Sequence, residues 1–174
     1  MLIRPATDAD RAALIEQFLG LNLHEEPLSH DRRTDHDGAV LSLDASWQLV
    51  RETDGHALVA EQDGRVIGHL FLQFPRDPVF VREALRRHAY VSDLFVREEA
   101  RGAGLATALL LEAERLAIVR GMRRLMIGVL AGNVAAETLY ARLGFAPRAI
   151  ELLKPIGTHP PEVSPAGSAP RRPG

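Results

Sequence analysis

Tyr90-Val91-Ser92-Asp93-Leu94-Phe95-Val96, then Arg97-Glu98-Glu99-Ala100-Arg101-Gly102-Ala103-Gly104-Leu105-Ala106, then Thr107–Ala117, is the stretch whose reading decides the fold. Its first part is a short apolar run with β-branched and aromatic residues, which reads as a strand. Its middle has two glycines two positions apart. Its last part is rich in Ala, Leu and Glu, the strongest helix formers. The stretch therefore predicts strand, glycine turn, helix. The first four N–H groups of a helix have no intrahelical partner, and the helix dipole adds partial positive charge there. A phosphate or pyrophosphate fits such a place. Arg101 and Arg97 could add full charges beside it.

Two other phosphate-binding arrangements do not match. A P-loop closes its turn with Gly-Lys-Ser/Thr, whereas Gly104 is followed by Leu105 and Ala106. A dinucleotide fingerprint needs a third glycine where Thr107 stands, and it usually opens a domain instead of following half a chain.

Upstream, Leu2-Ile3-Arg4-Pro5 reads as a first strand. Thr7 with Asp10 three residues on is a variant capping box. Ala12, Ala13, Leu14, Ile15, Phe18 and Leu19 then mark one face of a helix running to about Leu21. Residues 22–37 are polar and read as irregular. Val40–Arg51 reads as a second amphipathic helix. Ala57–Glu61 and Val66–Leu72 flank Asp63-Gly64, a strong hairpin signal. Gly68 inside the second strand suggests a bulge or a close backbone approach. Phe74–His88, with Pro75, Pro78 and basic Arg82, Arg86 and Arg87, reads as a loop or extended hairpin tip.

Downstream, Arg123–Leu130 reads as a strand, Asn133–Leu143 as a short helix stopped by Gly144, and Phe145–Lys154 as a final strand. This order gives an α/β mixed sheet flanked by helices, in one domain spanning residues 1–154. The hairpin demands antiparallel neighbours, and the segment from Val91 to Leu130 demands a right-handed parallel crossover. Residues 155–174 are dominated by Pro, Gly, Ser and Ala, cannot bury a core, and read as a disordered tail.

Hydrophobic residues make up 46% and charged residues 25%, values that suit a globular core. A formal net charge of −2 gives no broad attraction to nucleic acid or an anionic membrane. No cysteine is present, which excludes disulfides, thiolate metal sites and a cysteine nucleophile. With no signal-like h-region at Met1–Ala6 and no apolar run of about 18–20 residues, the expectation is a cytoplasmic protein without a membrane segment. His24, Glu25, His30, Asp31, Asp35, His36 and Asp37 follow no usual ligand spacing, so no metal is expected.

A second motif settles the reading. Asn133-Val134-Ala135-Ala136-Glu137-Thr138-Leu139-Tyr140-Ala141-Arg142-Leu143-Gly144-Phe145 is similar to Asn-x-x-Ala-x-x-Leu-Tyr-x-Arg-x-Gly-Phe at every one of those positions. Arg101-Gly102-Ala103-Gly104-Leu105-Ala106 matches Gln/Arg-x-x-Gly-x-Gly/Ala about 30 residues earlier. In that order and at that separation, the two motifs resemble the GCN5-related N-acetyltransferase (GNAT) family over roughly residues 1–154. Asn133, Ala136 and Tyr140 share one helical face by spacing alone. Asn133 can both donate to and accept from an amide, or serve as an ordinary N-cap. Tyr140 has a phenol suited to protonating a departing thiolate, and on spacing alone could equally be a packing tyrosine.

The resemblance implies a splay between two parallel central strands, with acetyl-CoA between them. It implies backbone contacts from Leu94, Phe95 and Val96 to the pantetheine arm and thioester, and a pyrophosphate cradle at Arg101, Gly102, Ala103, Gly104, Leu105, Ala106 and Thr107. Asn133, Ala136 and Tyr140 would line the pantetheine. Direct attack by a primary amine of a small molecule, amino acid or peptide is implied, through a ternary complex. Tyr140 would be the acid and Asp93 the base, acting through water; Asp93 could equally be a strand-end carboxylate paired with an arginine. Glu25 and Glu26 lie in the segment that lines the acceptor site in this family and could bind a cationic substrate, or be a solvated loop. Two alternatives share the fold: a non-catalytic acyl-CoA sensor, and a toxin-like acetyltransferase acting on aminoacyl-tRNA. A homodimer is left open.

Overall fold

The computed structural model describes residues Met1–Ile156. Five strands, β1 (Leu2–Pro5), β2 (His56–Gln62), β3 (Arg65–Gln73), β4 (Ala89–Val96) and β5 (Leu125–Ile127), form one sheet in the order β1-β2-β3-β4-β5. Every neighbour pair is antiparallel except β4–β5, which is parallel. The β2–β3 turn has positive φ at both Asp63 and Gly64, as a two-residue hairpin with this twist requires.

The sheet is covered on both faces. α1 (Arg11–Ser29) and α2 (His36–Glu52) lie on one face, where Leu14, Phe18, Leu43 and Val50 pack on Ala57, Val59 and Phe71. α4 (Leu105–Val119) lies on the other, where Leu105, Leu109, Leu110 and Ala113 pack on Leu58, Ala60, Leu70, Leu72 and Val91. Alternation along β2 sends Ala57 and Val59 one way and Leu58 and Ala60 the other, as the period-2 geometry dictates. α3 (Glu83–Arg86) is a single turn in the Phe74–His88 tip, which an Arg76–Arg87 antiparallel bridge closes. α5 (Val134–Arg142) follows β5.

The cap foreseen at Thr7 is present: its N–H donates to the Asp10 carboxylate at 2.8 Å. Arg4 holds the same carboxylate through two 2.8 Å bonds, and the guanidinium keeps Asp10 well below the usual carboxylate range. Gly68 is a close approach beside a bulge. A Cβ there would lie 2.9 Å from the Phe95 carbonyl, and the β2–β3 register shifts next to it.

Four expectations need correction. α1 does not stop at Leu21 but runs to Ser29, through Pro27. Proline there removes one donor in the last turn, and Asn22 is buried because its amide donates to the Arg33 carbonyl at 2.9 Å. α2 starts at His36, because Asp35 caps it by accepting from the Gly38 N–H at 2.7 Å. The strand expected over Arg123–Leu130 is only Leu125–Ile127, because its partner β4 diverges from it there. Phe145–Lys154 forms no strand: Pro147 lacks a donor, and no described strand pairs with the segment. The tail reading for 155–174 lies outside the described residues beyond Ile156.

Candidate active site

β4 and β5 pair only at Ala89–Leu125, Tyr90–Met126 and Val91–Ile127. β4 runs on to Val96 with no partner on that edge among the described residues, so a splay opens beside it. The Arg97 N–H donates to the Ile67 carbonyl at 2.9 Å. By strand alternation the backbone groups of Phe95 also face β3, while those of Leu94 and Val96 face the gap. The Val96 carbonyl is taken by Arg101 Nε at 3.1 Å. Of the three residues expected to offer backbone groups, Leu94 and Val96 therefore point theirs into the splay. Phe95 contributes its ring instead, stacked on His69 across the ladder, 6.0 Å between centroids, with the Arg101 guanidinium 5.9 Å above it. Gly20 of α1 makes room for that ring, since a Cβ at residue 20 would sit 2.7 Å from it.

A bulge in β4 sets the facing of Asp93. The register steps from Leu72–Val91 to Phe71–Asp93, so two steps on β4 answer one on β3. Without the bulge, Val91 and Asp93 would share a face. With it, Val91 enters the α4 core and Asp93 turns toward α1 and α2. Its Oδ2 accepts from Ser46 Oγ at 2.8 Å and Ser92 Oγ at 2.7 Å. Burial holds this carboxyl above its ordinary value, the two serine bonds pull the other way, and the negative charge of Glu25 pushes it further up. No arginine pairs with Asp93 among the described residues, so the strand-end ion pair is not its role here.

Glu25 lies in the second half of α1, bonded to Arg32 Nε at 2.7 Å. It acts on two groups: Asp93, and Tyr140 of α5, whose phenol burial and Glu25 together push up to about 12. Helix and bulge thus bring both Asp93 and Tyr140 within the electrostatic reach of Glu25. Glu26 is not part of this group; its carboxylate accepts from the Arg32 N–H at 2.6 Å and closes the turn after α1. Asp35 is likewise occupied as a cap, and among the described residues no three His, Asp or Glu side chains gather as a metal site.

The glycine turn is open. Gly102 and Gly104 both have φ near +79°, a conformation that favours glycine, and a Cβ at either would meet nothing within 4 Å. α4 starts directly after Gly104 with no acidic residue in its first turn, so its bare N–H groups keep their partial positive charge. Arg101 stands at this turn. Arg97 does not serve it, because its guanidinium pairs with Glu16 at 2.7 Å. Asn133 is the N-cap of α5, accepting from the Ala136 N–H at 3.2 Å, and the cap occupies only its carbonyl oxygen, not its amide N–H₂.

Sequence reasoning missed Ser46 and Ser92, the clamp on Asp93. The signal for Ser46 was present: a hydroxyl set in the apolar face of Leu43, Trp47 and Val50 needs a buried partner. It also missed His69, fully buried and pushed down to about 3 by desolvation, so neutral, with Nδ1 2.8 Å from Gln17 Oε1.

The comparisons with known proteins agree with this fold. The structure is similar to that of the aminoglycoside antibiotic 6'-N-acetyltransferase AAC(6')-IG from Acinetobacter haemolyticus, at 22% identity and a TM-score of 0.65, over 90% of this chain and 99% of that one. A mutant of the BH1408 protein from Bacillus halodurans gives 18% identity and a TM-score of 0.78, over 90% and 99%. The aminoglycoside N-acetyltransferase AAC(6')-Iy, crystallised in complex with CoA, gives 17% and 0.64, over 90% and 95%. No curated protein matches the chain. Likeness at these identities speaks for the fold, while the family model described as acetyltransferase (GNAT) family matches residues 18–145, most of the chain. The chain belongs to the GNAT acetyltransferase family.

Proposed function

We propose that the protein transfers the acetyl group of acetyl-CoA to a primary amine that arrives as a cation, by direct attack in a ternary complex. The observation that supports this most is the Asp93 arrangement. Both serine hydroxyls bond the same oxygen, Oδ2, and neither uses Oδ1. A carboxylate held above its ordinary value is a better proton acceptor from an ammonium than an exposed one. Glu25 beside it adds a second negative charge, and residues 25–37 contain five acids against two arginines. An ammonium is attracted to that pair, and its arrival relieves the repulsion between the carboxylates. Two of the similar structures are named aminoglycoside N-acetyltransferases, and an aminoglycoside is a polycationic amine, which fits an acceptor of this charge.

The donor side fits the residues present. Gly102–Gly104, the bare N–H groups opening α4, and Arg101 suit a pyrophosphate, and the splay suits the pantetheine arm, with the Asn133 amide able to meet its peptide groups. When bound, acetyl-CoA supplies a thioester whose carbonyl carbon accepts the amine lone pair and whose sulfur leaves as thiolate. Asp93 takes the ammonium proton, directly or through one water. The Leu94 N–H, facing the gap, stabilises negative charge on the carbonyl oxygen. Tyr140, protonated at neutral pH, donates its O–H to the departing sulfur, and the second proton, which the nitrogen sheds as the tetrahedral intermediate collapses, returns to the phenol, so that the products are the amide and the free thiol.

A thiol-release assay with acetyl-CoA tests this, run against monoamines, linear polyamines, aminoglycosides, free amino acids and short peptides, with the acetylated product identified by mass. The expected result is turnover with polycationic amines exceeding that with neutral-tailed monoamines. Turnover confined to anionic or uncharged acceptors would overturn the acceptor assignment.

A further inference from the structure

Tyr90 is a residue of β4 to which the mechanism gives no part, and strand register fixes its facing. Phe71 pairs with Asp93 and Gln73 pairs with Tyr90. Directly opposed residues share a face of the sheet, and residues two apart on β3 share one too. Phe71 packs under α1 and α2, so Tyr90 faces the same way as Asp93. β5 agrees: Met126 pairs with Tyr90, while its neighbours Leu125 and Ile127 turn to the α4 core. Tyr90 is half-buried. Its side chain leans across β5 toward the open end of the splay, since a Cβ at Gly128 would lie 3.2 Å from its hydroxyl. That hydroxyl is neither bonded within the described residues nor sealed from solvent.

The second half of α1 covers the same region. Leu28 rests on the loop after β5, where a Cβ at Gly132 would lie 3.6 Å from it. Glu25 is one turn earlier on the same side of the helix and acts on Asp93. Tyr90 therefore lines the floor between Asp93 and Gly128, beneath Glu25 and Leu28. Three residues separate it from Asp93, which puts the two within about 10 Å even at full extension. Two other rings of the sheet already carry a cation: Arg101 lies over Phe95 and Arg120 over Phe74, at 5.9 and 4.5 Å. No cationic side chain among the described residues lies over Tyr90 in this way, so its face is free for a cation that arrives with the substrate.

We infer that Tyr90 is a specificity-determining residue of the acceptor site: its ring receives the second ammonium of a diamine or polyamine while the first reacts beside Asp93. This rests on the acceptor reading above and adds a spacing rule to it. Glu25 attracts any cation, whereas the ring rewards only an acceptor whose second charge stands a few carbons from the first.

The test compares putrescine with n-butylamine, two four-carbon amines that differ by one ammonium, and reads the ratio of their kcat/KM values. Wild type should favour putrescine. Tyr90→Leu keeps an apolar side chain and removes the ring, and should lower the ratio about 5- to 30-fold. Tyr90→Phe keeps the ring and should hold the ratio within about threefold. Gly128→Ala should lower the ratio about twofold or more, because the new Cβ crowds the hydroxyl, and the loss should disappear in the Gly128→Ala, Tyr90→Phe double variant, where the hydroxyl is gone. Circular dichroism and acetyl-CoA calorimetry establish that each variant is folded. A wild type that acetylates no cationic amine would refute the acceptor reading and this inference with it. Where cationic amines do turn over, no preference for putrescine, a ratio unmoved by Tyr90→Leu, a Tyr90→Phe that falls as far as Tyr90→Leu, or a Gly128→Ala loss that persists in the double variant would each overturn the role of Tyr90 alone.

Discussion

Replacing Tyr140 with phenylalanine isolates one hydroxyl. The ring stays, with its packing on Phe145 and the α4 core, and the hydroxyl has no hydrogen-bond partner among the described residues, so its removal strands nothing. Stability should hold within about 0.5 kcal/mol. The phenol is pushed up to about 12, so it remains protonated throughout the working range. A thiol of ordinary pKa, about 8.5, lies some 3.5 units lower, so full proton transfer to the thiolate would be uphill by about 5 kcal/mol. On the proposed mechanism Tyr140 would therefore act as a donor to the developing charge instead of surrendering its proton early. A hydrogen bond to a charged acceptor contributes about 1.5–3 kcal/mol, which is about 10- to 150-fold in kcat. That range overlaps only the low end of general acid catalysis, about 10²–10⁴. Thiol release at saturating acceptor, with single-turnover data to establish that chemistry limits the rate, should show this drop, while acetyl-CoA affinity by calorimetry stays within about threefold. Undiminished kcat, or a loss confined to acetyl-CoA binding, would refute the donor role and leave Tyr140 as a packing residue.

Asp93→Asn should abolish most turnover and raise the melting temperature at pH 7.5. Burial holds the folded carboxyl above its ordinary 3.8, so stability falls as pH rises from 3.8 through the folded value. The gain on substitution should accordingly vanish below about pH 3.8; a variant less stable than wild type at pH 7.5 would contradict the burial argument. Glu25→Gln should raise KM for a polycationic acceptor and move the acidic limb of the pH–rate profile to lower pH, because a negative charge that holds Asp93 up has gone; an unmoved limb would take Asp93 out of the base role. Its cost in stability should stay within about 1 kcal/mol, since the Arg32 pair is partly exposed. Gly20→Ala should destabilise by about 1 kcal/mol or more in chemical denaturation, even though alanine favours a helix by up to about 1 kcal/mol, because its Cβ meets the Phe95 ring. A stabilised variant would show that the ring yields freely.

The local geometry of the candidate site's two motifs was legible because its signals are local. The glycine turn needs two residues at positive φ, and Asn133, Ala136 and Tyr140 fall on one face by helical spacing. Elements whose fate depends on distant partners were not. α1 continues past Leu21 because Asn22 bonds Arg33 eleven residues later. Phe145–Lys154 has strand-like composition, yet composition cannot say whether a partner strand exists. The facing of Asp93 rests on a one-residue bulge in β4 that no pattern in Tyr90–Val96 announces. Glu25 and Glu26 are adjacent and alike in sequence, and only the helix separates them, sending one toward Asp93 and Tyr140 and the other to the Arg32 backbone.

Acetyl-CoA binding at the glycine turn is the claim on which the rest stands, and isothermal titration of acetyl-CoA into wild type and Gly104→Glu tests it most directly. The turn has open space at residue 104, so the new side chain fits, and the left-handed backbone costs about 1–2 kcal/mol that a modest fall in melting temperature would register. The account predicts measurable binding to wild type and a loss on the order of 10²-fold or more in the folded variant, as carboxylate meets pyrophosphate. Equal affinity in the two proteins would contradict it.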